Sequence, residues 1–288
     1  MANTKIAPPV PPKATSKSKK SPPAFVRYYL IAFNIISAAG WTYVLALTLI
    51  HLLNLDGKSS PASKTASSTL TRVLGSFTSV FKSPGIASAS SIEARIPPYL
   101  QPIYRRSLST YDRVGTPTAF VQSLAVLEVV HVLLGWVRSP LQTTAMQVAS
   151  RLFLVWGVVE QFEVVRSNPL YTTMVLSWAM TEVIRYSFYA CNLLGLEPYP
   201  LLYLRYTTFY VLYPTGASSE AFLIYASLPS SSPLHPSWFE SAWKLTDFAR
   251  AALFLVWWPG LYAMYTYMIS QRRKVLGASA KSKGTKIN

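Results

Sequence analysis

The chain has 288 residues and a formal net charge of +16, yet only 13% of it is charged and 51% is hydrophobic. The basic excess is peripheral: residues 1–27 and 271–288 each carry six Lys/Arg and no acid, and 54–117 hold eight basic against three acidic residues. The body, 118–270, holds seven against eight. A nucleic-acid-binding domain would cluster its cations on a folded face, a disordered chain would lack the aromatics, and a disulfide-stapled domain needs more than the single Cys191. A polytopic membrane protein remains.

The first segment, 1–27, is rich in Pro, Lys and Ser and reads as a solvated tail. Residues 28–53 follow without an Asp, Glu, Lys or Arg. About 20 residues span the hydrocarbon, so this run predicts a retained transmembrane helix, longer than the apolar core of a signal peptide. Residues 54–117 read as a long polar loop. Its second half has too many prolines for a spanning helix, while its Tyr and Arg suit the membrane interface.

Four closely spaced apolar runs come next, 118–137, 141–162, 170–196 and 201–228, joined by short connectors that each contain Pro. After a polar connector, a last run covers 252–269, where Pro259-Gly260 predicts a kink. The sum is an all-α bundle of six transmembrane helices. Core 118–270 carries five of them, and 271–288 is a second basic tail. Two basic termini on an even number of spans both fit the cytosolic side. No internal repeat is evident, which disfavours a transporter built from repeated halves.

Ionisable groups inside apolar helices cost about 2.5–3.5 kcal/mol each on insertion scales, so their positions are informative. Glu128, Glu160, Glu163, Glu182 and Glu220 lie in or at the edges of these runs, with Arg151, Arg185, Arg205 and His131. Most are expected to pair and fix the bundle. Glu182 and Arg185 stand three apart and share a helix face. Gln147 and Arg151 stand four apart, as one inward stripe requires. Glu160 and Glu163 lie near a helix end, within reach of the interface.

In the fifth run, Tyr206, Tyr210, Tyr213, Ala217 and Glu220 follow helical spacing on one face. Tyr213 and Glu220 are seven residues apart, roughly 10.5 Å along the axis. Two long side chains at that spacing can converge on one reacting group. Pro214 between them predicts a loosened or kinked helix. The alternative is an ordinary proline kink with an interfacial tyrosine. No HExxH, Gly-rich phosphate loop or GxSxG occurs, and the three histidines are not at metal-ligand spacing.

The segments QSLAVLEVVHVLLG (122–135), SPLQTTAMQVASRLFLVW (139–156), WAMTEVIRYSFY (178–189) and LRYTTFYVLYPTGASSE (204–220) resemble the 3-hydroxyacyl-CoA dehydratases of very-long-chain fatty acid elongation. That family was once labelled phosphatase-like, but Cys191 lacks the Arg six residues on that a phosphatase loop requires, since Glu197 stands there. The resemblance implies a six-helix enzyme of the endoplasmic reticulum that removes water from (3R)-3-hydroxyacyl-CoA to give trans-2-enoyl-CoA. It implies Tyr213 and Glu220 as the catalytic pair. One removes the proton at C2 and the other assists departure of the C3 hydroxyl; the expected assignment is Glu220 as base and Tyr213 as donor, with the reverse open. Arg205, Tyr206, Glu182 and Arg185 are candidates for substrate contact or support. No metal or redox cofactor is expected, because elimination is redox-neutral and coenzyme A arrives with the substrate. Expected partners are the acyl-CoA, the lipid bilayer and other elongation-cycle enzymes, with no nucleic acid. A non-catalytic scaffold of the same fold is the alternative, although a scaffold has no need of the Tyr/Glu pair. The C-terminus carries Lys286 but no second lysine at dilysine spacing, so reticulum residence follows from the resemblance alone.

Overall fold

The computed structural model describes residues 23–57, 95–196, 198–229 and 243–284. The expectations for residues 1–22, for loop residues 58–94, for Glu197, for most of the connector before the last run and for the extreme C-terminus lie outside the described residues. Within them the fold is all-helical, as the sequence predicts.

Helix α1, Ala24–Leu53, realises the first apolar run. Its buried Leu30, Asn34, Ser37, Trp41, Val44, Thr48 and His51 alternate by four and three, so one face is committed to the bundle. The polar members of that stripe are satisfied locally: Asn34 donates to the Leu30 carbonyl at 2.7 Å and Thr48 to the Val44 carbonyl at 2.7 Å. The helix stops at Asn54, whose φ of 54° is left-handed, a conformation Asn tolerates well.

The Pro-rich stretch before residue 118 folds differently from its expectation. It forms α2, Gln101–Ser107, and then α3, Thr110–Ser123, which runs through Pro117 and leads into α4, Val126–Leu133. The second helix therefore begins at Thr110 rather than 118. Burial outweighs the missing proline N–H: Thr110 and Val114 are fully buried, and α3 packs on α1 and on the central helix.

Helix α5, Leu141–Leu152, passes directly into a π-helical turn, Phe153–Val159, and the short α6, Glu163–Arg166, follows. Such wide turns are rare and concentrate at functional sites. The centre of the bundle is α7, Pro169–Leu194. Its ends are written locally: the Asn168 side chain accepts from the Leu170 N–H at 2.9 Å, Pro169 occupies the first helical position, and Gly195 closes the helix at φ 81°. Helices α1, α9 and α8 each pack against α7.

The fifth run divides into α8, Tyr199–Arg205, and α9, Phe209–Ala226. The interruption falls at Tyr206–Thr208 instead of at Pro214, through which α9 continues. Thr208 turns its hydroxyl back to the Leu204 carbonyl at 2.9 Å, the local competition that makes such residues weak helix formers. The last helix, α10, Leu245–Gly284, packs on α9 and also runs through its proline, Pro259.

Among the described residues, three stretches are long and apolar enough to cross a membrane: Ala24–Leu53, Thr110–Leu133 and Leu245–Leu276. Of the other expected spans, two are interrupted and the third, α7, carries buried charge.

Helices α7 and α9 approach closely where Gly216 faces Ser177. A Cβ added at Gly216 would stand 3.2 Å from the Ser177 Cβ, and Ser177 and Thr215 hydroxyls share a hydrogen bond of 3.1 Å beside it. A branched residue cannot fit without moving α9. Gly216→Val should destabilise the bundle by about 1–3 kcal/mol, the usual cost of overpacking, read as a lowered unfolding midpoint in detergent; an unchanged midpoint would mean the helices separate freely there.

Candidate active site

Among the described residues four glutamates stand buried or partly buried, and the structure resolves what each faces. Glu182 on α7 is only 2% exposed. The Arg185 Nε, one helical turn on, donates to its Oε2 at 2.6 Å, and Arg151 from α5 holds its Oε1. Arg185 also grips Glu128 of α4 with two donors, at 2.9 and 2.6 Å, and Tyr186 donates to the same carboxylate. Bidentate charged pairs are the strong, orienting kind. A continuous chain, Arg151–Glu182–Arg185–Glu128, thus ties α5, α7 and α4 together.

Glu160, at the far end of the π-turn, belongs to a separate cluster. It accepts the Tyr111 hydroxyl at 2.9 and 2.8 Å and faces Arg166 at 3.4 Å, while Glu163 is exposed, as expected for the interface.

Glu220 on α9 differs from the other three. It has no ion-pair partner among the described residues. Its Oε1 instead accepts the Trp178 indole N–H at 2.6 Å, across the α7–α9 contact, and Trp257 of α10 stands against the same carboxylate. The Arg151 guanidinium lies 5.2 Å from the Trp178 ring centroid, so one indole touches both that cation and Glu220. Tyr213, two turns before Glu220 on the unbroken α9, interacts electrostatically with both Glu220 and Arg151. One acid free of direct ion pairing and one phenol therefore share a helix face beside a cation.

The remaining expectations divide. Glu182 and Arg185 sit in the chain that leads through Arg151 to Trp178. Arg205 and Tyr206 do not: Arg205 donates to the Tyr189 hydroxyl at 2.9 Å and stacks on Phe188 and Tyr189, toward the C-terminal end of α7. Trp178 and Tyr189 are eleven residues apart, roughly 16 Å along that helix. Tyr206 leaves the register of Tyr210, Tyr213 and Glu220 because α8 ends at Arg205. Gln147 is exposed and does not share the inward side of Arg151. His131 pairs with the Tyr29 hydroxyl at 3.0 Å rather than extending the Glu128 cluster.

Sequence spacing overlooked Trp178. Its signal is present, since Trp178, Glu182, Arg185 and Tyr186 follow one face of α7, but a tryptophan in an apolar helix reads as packing until its partner is located. Among the described residues no group of three His, Cys, Asp or Glu is arranged to hold a metal ion.

The family model described as protein tyrosine phosphatase-like protein, PTPLA, matches residues 122–278, more than half of the chain. The chain belongs to this family. The match runs beyond α9 and takes in most of α10. Among curated relatives, the rice very-long-chain (3R)-3-hydroxyacyl-CoA dehydratase PASTICCINO 2B is 44% identical over 180 residues, covering 60% of this chain and 81% of the relative. The Caenorhabditis elegans very-long-chain (3R)-3-hydroxyacyl-CoA dehydratase hpo-8 is 33% identical over 268 residues, 90% of this chain and 99% of the relative. Human very-long-chain (3R)-3-hydroxyacyl-CoA dehydratase 2 is 37% identical over 180 residues, 61% and 71% of the two chains. No solved structure matches significantly.

The paired and unpaired arginines should respond differently to truncation. Arg185→Met removes the cation shared by two carboxylates, leaving Glu182 to Arg151 and Glu128 to the Tyr186 hydroxyl, and should cost about 3–5 kcal/mol. Arg205→Ala removes a more exposed cation–π and hydroxyl contact and should cost about 1 kcal/mol. Denaturant unfolding of the two variants, compared with the parent, checks the difference; equal losses would deny Arg185 its bridging role.

Proposed function

We propose that the chain is a very-long-chain (3R)-3-hydroxyacyl-CoA dehydratase that forms trans-2-enoyl-CoA, with Glu220 and Tyr213 as its catalytic pair. The observation that carries the site is the contrast among the glutamates. Glu128, Glu160 and Glu182 each face an arginine, whereas Glu220 takes an indole N–H. A carboxylate locked to a guanidinium is a poor proton acceptor; one held by a neutral donor keeps an oxygen for chemistry.

The chemistry needs two groups on one small region of substrate. Glu220 takes the proton from C2, beside the thioester. The C–H electron pair becomes the C2–C3 double bond, and the C3–O bond breaks as Tyr213 gives its proton to the departing hydroxyl. Water and the enoyl thioester leave. Proton transfer from Glu220 to the Tyr213 phenolate restores both groups. A phenol, with a reference pKa of about 10, holds its proton ready at neutral pH. Arg151, near both groups, supports the negative charge that passes between them. This cycle consumes no oxidant and calls for no group beyond the substrate's own coenzyme A.

The long acyl tail fits an apolar bundle in lipid, and the CoA phosphates belong in water on the basic side. The same reading takes the three apolar helices together with the runs at 141–162, 170–196 and 201–228 as six spans in the endoplasmic reticulum membrane. Both basic termini then face the cytosol, beside the other enzymes of the elongation cycle.

Purified protein given a long-chain (3R)-3-hydroxyacyl-CoA should release the 2-enoyl-CoA, detected by mass spectrometry. Glu220→Gln and Tyr213→Phe should each lower kcat by about 10²–10⁴-fold, the range for loss of general acid–base catalysis. Full turnover in either variant removes that residue from the pair, and no turnover by the parent removes the activity.

A further inference from the structure

The carboxylate proposed as base must be kept ionisable in an apolar bundle without being neutralised by the cation beside it. Arg151 is the nearest such cation, anchored by Glu182 and stacked on the Trp178 ring. Trp178 is 3% exposed, packs edge-on against Trp41 with ring centroids 6.4 Å apart, and contacts both Arg151 and Glu220. Its N–H is a donor with no acceptor function and cannot relay a proton. Bonded at 2.6 Å, it fixes Oε1, while Trp257 stands against the same carboxylate from α10.

We infer that Trp178 is a positioning residue of the dehydration site: its indole N–H aims the Glu220 carboxylate while its ring carries the Arg151 guanidinium. This rests on the proposed role of Glu220. Two consequences separate it from mere packing. The loss of the N–H must appear in kcat rather than in substrate binding, and it must be coupled to the geometry of residue 220.

Trp178→Phe keeps an aromatic ring against Trp41 and Arg151 but removes the donor. It should lower kcat by about 10–100-fold, the fold-change of a lost hydrogen bond to a charged group, with KM within about twofold on the general expectation for an interaction made in the transition state. In a Glu220→Asp background, where the shortened carboxylate has already left the indole, the same substitution should add less than about twofold, since contacting residues are non-additive. Because the site is buried, Trp178→His is measured alongside; it keeps a ring N–H on a smaller frame and should recover part of the kcat lost in Trp178→Phe. Parent-like kcat in Trp178→Phe, an equal loss in both backgrounds, or equal kcat in the His and Phe variants would overturn the assignment. A parent enzyme without dehydratase turnover, or an active Glu220→Gln variant, would instead overturn the reading on which it rests, so the two failures are distinguishable.

Discussion

A carboxylate removed from water must find a cation or a donor, and the cost of leaving it bare is several kcal/mol. The interior of this bundle is organised around that requirement. Arg185 on the central helix answers it for Glu182 and Glu128 together, and Arg151 reaches Glu182 from the neighbouring α5. These contacts fix how α4, α5 and α7 stand relative to one another. They also hold Arg151 in place, and through its stack on Trp178 they reach the site on α9 without a direct salt bridge to Glu220.

The same arrangement explains why the reaction is assigned to a pair that looks under-supported. A fully paired Glu220 would stabilise the fold and lose its capacity to accept a proton. A wholly unsatisfied Glu220 would be too costly to keep charged. Indole donors lie between these limits: Trp178, with Trp257 beside it, supports the carboxylate and brings no charge. The close approach of α7 and α9 at Gly216 and Ser177 makes the bond possible, because the indole of one helix must meet the carboxylate of the other. Tyr213, the proposed partner, shares the Glu220 face through local helix geometry alone, since α9 runs through Pro214 without interruption.

Much of this was legible in one dimension. The uncharged first run, the Asn168-Pro169 cap and the Glu182/Arg185 turn follow from spacing and local chemistry. So does the Tyr213/Glu220 face, because residues seven apart share one side of any continuous helix. What escaped depends on other elements. The start of α3 at Thr110 runs against the local signal of Pro117 and is carried by burial against α1 and α7. Arg205 and Tyr206 are sequence neighbours of the site, yet the interruption before α9 turns them toward Tyr189. Trp178 lies 42 positions from Glu220, and no spacing rule connects a packing residue on one helix to an acid on another.

The claim that most depends on this geometry is that Glu220 moves the proton at C2. Running the reaction in reverse isolates it: trans-2-enoyl-CoA and the chain in heavy water give a hydrated product whose C2 deuterium is placed by the base. The account predicts one deuterium on a single face of C2 with the parent enzyme, and incorporation slowed by about 10²–10⁴-fold with folded Glu220→Gln. Stereospecific deuteration at the parent rate in that variant would contradict it.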